Sequence, residues 1–520
     1  MNDFALSLLL LGALSSGTQL PFWAGANQFG LMPEGSGGLA LLRAGTEYDA
    51  TKEFQWKWGV SLAGQYDSRN VPEKTADFSA MVDELYASAR WKALRLDAGM
   101  KHVDIDFLGA GMPTLGSMST TGGHIVWSGN ARTMPGYLIT LDPVAVPFTH
   151  QVLWVHGAFG DYKMLDKRTV SGPLVHRTKV FILLKILPQF DFQLGLDHVA
   201  LWGGTDPATG QPVMPVTLDN YFRVITGRHA SSSGSPSDQV HVIGDHLGGL
   251  VCRFDWRGDG WKAAFQRDVP YEDGSGMLGI QNWPDGVYTC WFGSDNKDRW
   301  VSDILYEFQY TKKQSGTYES RPTTPEEQAH LDPKDQYHYY YHVYGGLDNY
   351  FNGAYSGWTH YGRTIGNPLL SPKGTHDATW TGHGLGRSGA SGSGSGSGPV
   401  APAIENNRIK AHHLSLSGRA FHRLPYKLML TYTQNYGTYS YPYLGPSQAG
   451  QPWGTVKETP LHQISAAFVG EVPFASIGLL SSQSFLRQLT LTYGLFADRG
   501  QLLPDAFGAS VGVRWDWKVR

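Results

Sequence analysis

Apolar residues in this chain recur at every second position, in stretches of strand length from one end of the sequence to the other. Phe54, Trp56, Trp58, Val60, Leu62 and Tyr66 alternate with Gln55, Lys57, Gly59, Ser61, Ala63 and Gln65. A β-strand turns successive side chains to opposite faces, so this period divides the segment into an oily face and a polar one. The pattern returns in Leu250, Cys252, Phe254 and Trp256, in Ile304, Tyr306, Phe308 and Tyr310, and in Tyr426, Leu428, Leu430 and Tyr432. It returns again in Leu489, Leu491, Tyr493 and Leu495, and in Val511, Val513, Trp515, Trp517 and Val519. The intervening positions carry Arg, Lys, Asp, Thr and Gly. A soluble sheet would bury the oily face in a core, whereas a membrane barrel turns it to lipid and keeps the polar face in a wet lumen. The number of Lys and Arg on the polar face favours the lumen over a packed sandwich.

Strand-like segments are predicted near 5–18, 40–67, 83–103, 120–128, 151–164, 174–202, 239–268, 286–311, 336–362, 405–434, 460–472 and 486–519. Many hold two strands about a turn, as at Arg257-Gly258-Asp259-Gly260 and Trp91-Lys92-Ala93. At about ten residues per strand plus turns, the chain accommodates roughly 16–20 strands. Aperiodic stretches near 205–238, 311–336, 366–405 and 441–458 match the long extracellular loops of an outer-membrane barrel, long enough to fold inward as a plug. Ser388 to Gly398 is a Gly/Ser run of the kind that forms a loop tip. Thr324-Pro325-Glu326-Glu327 has the N-cap, the proline and the acidic first turn of a short helix. No internal repeat is present, which disfavours a propeller or solenoid.

Composition sharpens this picture. Glycine accounts for 64 of 520 residues, about 12% against a usual ~7%, and charged residues for 17% against a usual ~25%. With 17 Trp and 26 Tyr, the chain has the material for the aromatic girdles of a membrane barrel. Mean hydropathy is −0.28, and no stretch approaches the ~18 apolar residues of a spanning helix. A net charge of −3 implies no nucleic-acid partner. Two cysteines, Cys252 and Cys290, exclude a disulfide framework, and the sequence leaves their pairing open. Ala5 to Ser16 resembles a signal h-region, but the residues before it are Met1-Asn2-Asp3, acidic where a signal is basic. The segment is therefore expected to be the first barrel strand, with the signal peptide absent from this chain.

No catalytic constellation emerges. Gly384-Leu385-Gly386-Arg387-Ser388-Gly389 matches GxGxxG but leads into the Gly/Ser run and opens no helix. His412 and His413 are adjacent, so a strand points them to opposite faces, and no metal site is expected. Glu272 and Asp273 lie in a tight Gly-rich turn, with nothing to hold them across a sugar. The chain is expected to be neither an enzyme nor a cofactor protein. Features of a binder are more evident. Tyr337-His338-Tyr339-Tyr340-Tyr341-His342 sets aromatic rings, able to stack on sugars or to belong to an interfacial girdle, beside a long loop. Arg132, Arg223, Arg228 and Arg363 lie near loop–strand junctions, where they would clamp a carboxylate or brace the lumen by salt bridges.

A series of short blocks carries a family resemblance. It runs through Pro21-Phe22-Trp23, Asn27-Gln28-Phe29-Gly30, Ser128-Gly129-Asn130-Ala131-Arg132-Thr133-Met134-Pro135-Gly136-Tyr137, Gly160-Asp161-Tyr162 and Leu194-Gly195-Leu196-Asp197-His198. It continues through Gly244-Asp245-His246-Leu247-Gly248, Asn282-Trp283-Pro284-Asp285-Gly286, Gly362-Arg363-Thr364-Ile365-Gly366-Asn367-Pro368 and Asn435-Tyr436-Gly437-Thr438-Tyr439. In this order the blocks resemble the Wzi capsule-assembly family, in its Bacteroidetes branch. The resemblance implies an outer-membrane barrel of about 18 antiparallel strands. It also implies a lectin-like role, since the enterobacterial member helps hold capsular polysaccharide at the cell surface. That member carries a helical bundle ahead of its barrel, where this chain enters a strand at once. This chain also ends Trp517-Lys518-Val519-Arg520 rather than on an aromatic residue.

The expectation is thus an all-β protein: a single transmembrane antiparallel β-barrel over 1–520 in the outer membrane of a Gram-negative bacterium. Its expected partners are capsular or other surface polysaccharide, outer-membrane lipid and lipopolysaccharide, and other envelope proteins. The expected carbohydrate contacts are Tyr337, Tyr339, Tyr341, Trp283, Arg228, Arg363, Asn130 and Arg132. Two alternatives use the same fold. One is a channel for anionic solutes or oligosaccharides, suggested by the inward Lys57, Arg95, Lys101, Lys179, Lys185 and Lys262. The other is a structural docking subunit of an envelope complex.

Overall fold

Alternation with turn residues at strand ends produces a hairpin ladder, and here the ladder closes. The computed structural model describes residues 4–68, 77–102, 120–122, 124–228, 243–272, 282–314, 316, 319–329, 341–344, 350, 355, 357–372, 404–439, 459–476 and 485–519. Its first nine barrel strands are β1 (Phe4–Ser15), β2 (Ser36–Thr46), β3 (Phe54–Ser68), β4 (Asp77–Trp91), β5 (Leu94–Met100), β6 (Pro135–Ala145), β7 (Leu153–Lys163), β8 (Leu174–Leu187) and β9 (Phe190–Trp202). The second nine are β10 (Asp245–Arg257), β11 (Trp261–Tyr271), β12 (Gly286–Ser294), β13 (Asp303–Tyr310), β14 (Ile409–Ala420), β15 (Leu424–Asn435), β16 (Leu461–Pro473), β17 (Leu489–Gly500) and β18 (Ala506–Val519). They form one 18-stranded sheet in which neighbours in sequence pair antiparallel. The last strand pairs with the first, Phe4 opposite Val519 and Ser15 opposite Gly508, so the sheet has no free edge. Among the described residues three short α-helices lie between strands: α1 (Phe22–Gly25), α2 (Leu218–Thr226) and α3 (Pro325–Gln328). Thr324 and Glu327 form the capping box of α3 that the sequence motif predicts.

The two faces of the wall differ as the alternation requires. In β15, Leu428 and Leu430 are exposed on the outside, while Lys427, Met429, Thr431 and Thr433 are buried inside. Trp56, Trp91, Trp256, Trp300 and Trp517 are exposed near the end with the short turns, where an aromatic girdle meets the membrane interface. An outer surface of this kind is soluble only in lipid or detergent, so the barrel is transmembrane. The two cysteines are free thiols on β10 and β12, with β11 between them.

The connections are short at one end of the barrel and long at the other. A two-residue turn at Lys92–Ala93 and a three-residue turn at Gly258–Gly260 stand at the predicted positions. Three departures from the sequence reading have physical causes. The segment 120–128 alternates like a strand, but its described residues form no strand and lie inside the barrel. Its backbone groups are satisfied by other loops and by carboxylates of the wall instead of by a ladder. Strand β6, marked by Leu138-Ile139-Thr140-Leu141, was hidden by the Pro135-Gly136 that opens it. In β4, a bulge opposite Ser61 and Leu62 inserts Asp83, so that Asp83 and Glu84 both reach His102 despite being neighbours.

Candidate functional site

The long-loop end of the lumen is filled by the chain itself. Segments 21–35, 120–134, 357–372 and 404–408 knit together by backbone and amide bonds. Phe29 N donates to Gly129 O at 2.6 Å, and Ser128 N to Ile365 O at 2.8 Å. Trp358 Nε1 donates to Val126 O at 2.5 Å, and Asn367 Nδ2 to Thr121 Oγ1 at 2.8 Å. An apolar cluster containing Ile125, Val126, Trp127, Trp358, Ile365 and Leu370 packs against inward residues of the wall such as Val175, Val199 and Leu247. Ile125, Val126 and Leu370 are 0% exposed, so this plug has a true interior.

Inward carboxylates of the wall hold the plug in place. Asp268 on β11 accepts from Ile125 N at 2.8 Å, and Asp498 on β17 accepts from Phe22 N at 2.7 Å. Glu307 on β13 accepts from the backbone and hydroxyl of Thr121. Trp23 of α1 donates to Thr431 Oγ1 at 3.0 Å. Charge-assisted bonds between carboxylates and backbone N–H groups are stronger than neutral ones, and here they satisfy donors that a loop cannot pair internally. Cations line the space beside the plug, with carboxylates near them, as Asp97 is to Arg95 and Lys101 and Asp255 to Arg253. A cavity of about 340 Å³ runs down the wall from Lys101 at the long-loop end to Asp142 near the short turns. Five cationic residues, Arg95, Lys101, Arg177, Lys179 and Arg253, face it against the carboxylates of Asp97 and Asp142. Arg177 is the roof. Its guanidinium stacks 4.5 Å from the Trp127 ring of the plug and binds Asp197 through Nε and Nη2 at 3.0 and 2.6 Å. Its Nη1 is buried and has no hydrogen-bond partner. A buried donor without an acceptor is costly, and an anion's oxygen would remove that cost.

The residues expected to contact carbohydrate fall into three groups. Asn130, Arg132 and Arg363 come together in the plug. Asn130 is buried, accepts from Asn27 N and donates to Thr364 O at 3.0 Å. Arg132 lies 4.7 Å over the Tyr361 ring, and Arg363 donates to Gly25 O at 3.2 Å. Burial and the nearby Arg132 pull the Arg363 guanidinium below its ordinary pKa. Trp283 and Arg228 stand apart on the long-loop rim. Trp283 is 57% exposed, with the Arg267 guanidinium 4.5 Å from its ring. Arg228 is exposed just beyond α2. Tyr337 and Tyr339 lie outside the described residues, and Tyr341 begins a short strand paired with 319–322. Arg177, Arg253, Arg267 and Trp127 were not singled out from the sequence. The inward parity of Arg177 is readable in β8, but its contacts come from strands and loops remote in sequence.

Elsewhere, Asp83, Glu84 and His102 place one potential metal ligand each within 4.8 Å of one another. Protein partners already serve this cluster, since Asp83 accepts from Ser61 Oγ at 2.8 Å and lies 3.8 Å from Arg43. His412 and His413 do face opposite sides, His413 buried against Thr431 and His412 beside Tyr306 on the outside.

No protein-family model and no curated protein matches the chain. Among solved structures it is similar to Wzi of Escherichia coli, described as an outer membrane protein involved in group 1 capsule assembly and a carbohydrate-binding β-barrel. The identity is 13% over 99% of this chain and 84% of that one, with a TM-score of 0.50. It also matches Acinetobacter baumannii OccAB2, at 9% identity over 100% of this chain and 98% of the other, TM-score 0.45. A third match is Pseudomonas aeruginosa OpdK with vanillate, at 10% identity over 99% and 98% of the two chains, TM-score 0.46. At 13% identity the likeness to Wzi is one of fold, and it agrees with the closed 18-stranded transmembrane barrel described above.

Proposed function

We propose that this protein is an outer-membrane barrel of the capsule-assembly type, which holds surface polysaccharide on its long-loop face in a Gram-negative envelope. The plug carries this reading. With an apolar interior and four interlocked segments across the lumen, the barrel is suited to present a surface rather than to pass solute. The resemblance to the Wzi family and the carbohydrate binding named for the solved Wzi structure support the same choice. Trp283, backed by Arg267, offers a ring face to a sugar, and Arg228 offers a cation to an acidic one. Tyr337, Tyr339 and Tyr341 would extend that surface, while Asn130, Arg132 and Arg363 support it from the plug. No catalytic step is assigned. A glycan pull-down tests the reading: Trp283→Ala with Arg228→Ala should retain less capsular polysaccharide than the native barrel. Equal retention by the variant and by a barrel lacking the outer loops would end it.

The cationic chamber favours a second reading, a path or resting site for anionic solutes. Planar-bilayer recording separates the two. The first reading expects a silent barrel, and steady anion-selective conductance would establish the second.

A further inference from the structure

One long connection leaves the rim and folds outward. Residues 203–228 carry α2, and the helix packs on the outer face of β8 and β9. Val224, Met214 and Ile243 meet Ala200 and Trp202, which alternate with the inward Val199 and Leu201 and therefore face outward. Beneath the helix the wall carries an unusual polar patch. Asp161 Oδ1 lies 2.9 Å from His176 Nδ1, and its Oδ2 accepts from Tyr137 and from Tyr221 of α2 at 2.5 and 2.6 Å. His176 is 0% exposed. A carboxylate on the lipid side of a barrel is tolerated only where it is paired and covered, and α2 supplies both the hydroxyl and the cover. The helix is thereby fixed against the wall at the long-loop end of β7–β9.

The rest of the helix surface is divided in two. Leu218 and Phe222, one turn apart, are 76% and 62% exposed, and Val216 just ahead of them is 61% exposed. On the remaining arc, Asp219 and Arg223 form an ion pair at 2.8 Å. The outward face of β8, on whose rim end the helix packs at Leu174, carries Val180 and Ile182 further along, 56% and 38% exposed. Thr217 caps the helix start and Gly227, at φ 59°, ends it in the left-handed conformation, so α2 is a finished helix in this position. We infer that α2 is a membrane belt: it lies flat in the outward-facing leaflet, with Leu218 and Phe222 among the acyl chains and the Asp219–Arg223 pair toward water. The partner surface is the bilayer itself, because the helix packs on the outward face of β8 and β9, the face that the barrel turns to lipid.

The full-length barrel allows a direct test. Cys252 and Cys290 are replaced by Ala, and a bimane label is placed at Phe222→Cys or, separately, at Asp219→Cys, both exposed positions. Native folding of each is confirmed by heat-modifiable migration. In phosphatidylcholine vesicles with brominated acyl chains, the label at 222 should lose most of its fluorescence and the label at 219 little. A label at 222 that keeps its fluorescence would overturn the inference, pointing to a helix that faces water or a protein partner. Equal quenching at both positions would overturn it as well, because the helix would then have no oriented face.

Discussion

Arg177 and Asp197 show how much one buried pair can hold. Both are almost without exposure, and the guanidinium grips the carboxylate with two bonds while stacking on Trp127. Removing only the cation leaves Asp197 buried beside Lys179, 3.9 Å away and poorly placed to replace it. Arg177→Met should therefore destabilise the barrel by about 3 kcal/mol, whereas Arg177→Met with Asp197→Leu should recover most of that loss. Urea unfolding in lipid vesicles measures both. Asp285 offers a different lever because it sits in a loop. It accepts from Lys313 N, Gln314 N and Tyr350 OH at 3.0, 2.6 and 2.9 Å. Burial outweighs these bonds and raises its pKa from 3.8 to about 6. A raised carboxylate pKa means the docked loop binds the proton more tightly than the free one. Its docking is thus firmest below the ordinary value and weakens as pH rises from 3.8 to about 6, by roughly 3 kcal/mol in all. Hydrogen exchange at Lys313 and Gln314, corrected for the intrinsic rate, should be slower below this window than above it, and Asp285→Asn should flatten the difference.

Strands translate these residue rules into a wall, and here most of the fold was legible. β3, β15 and β18 alternate cleanly because one face meets lipid and the other meets water or polar plug atoms. Leu8-Leu9-Leu10-Leu11 in β1 breaks the rule and imitates a signal segment. The structure explains it: Leu9 and Leu11 face inward against Leu31 and Met32 of the plug, so both faces of the strand are apolar. The α2 helix falls in an aperiodic stretch although Thr217 and Gly227 mark its ends, because its apolar positions serve two surfaces instead of one core stripe. Depth along a strand gives a quantitative check on the lipid face. Leu430 lies at the middle of β15 and Leu14 near the rim end of β1, both exposed outward. Leu430→Arg should cost about 2–4 kcal/mol and Leu14→Arg about 0–1 kcal/mol in vesicle unfolding. Equal costs would contradict the assigned membrane depth.

At the scale of the whole molecule, barrel and plug divide the charges between them. The closed wall follows from local alternation, but the plug follows from contacts such as Ser128 with Gly366 and Asn27 with Thr121, which join segments remote in sequence. No periodicity encodes such pairs, so the resemblance blocks at 128–137 and 362–368 were visible while their meeting place was not. Asp268, Glu307 and Asp498 are engaged by the plug, and Arg95, Lys101, Lys179 and Arg253 remain on the chamber wall. Taking out the plug should therefore do two things at once. It should open the long-loop end of the lumen, and it should leave behind three carboxylates stripped of their backbone donors. The wall itself should persist, because every strand keeps both neighbours in the closed sheet. Replacing 120–131 by a short Gly/Ser linker should preserve heat-modifiable migration and convert a silent barrel into a conducting one. In this variant Asp268 on β11 and Glu307 on β13 lose their plug donors while Asp498 keeps Phe22 N, and cationic β10 pairs directly with β11. Selectivity of the opened lumen should consequently be weak at high salt, where fixed charges are screened, and more pronounced at low salt. Reversal potentials across a salt gradient read this directly, and a barrel that stays closed without 120–131 would show that the other three segments seal the lumen alone.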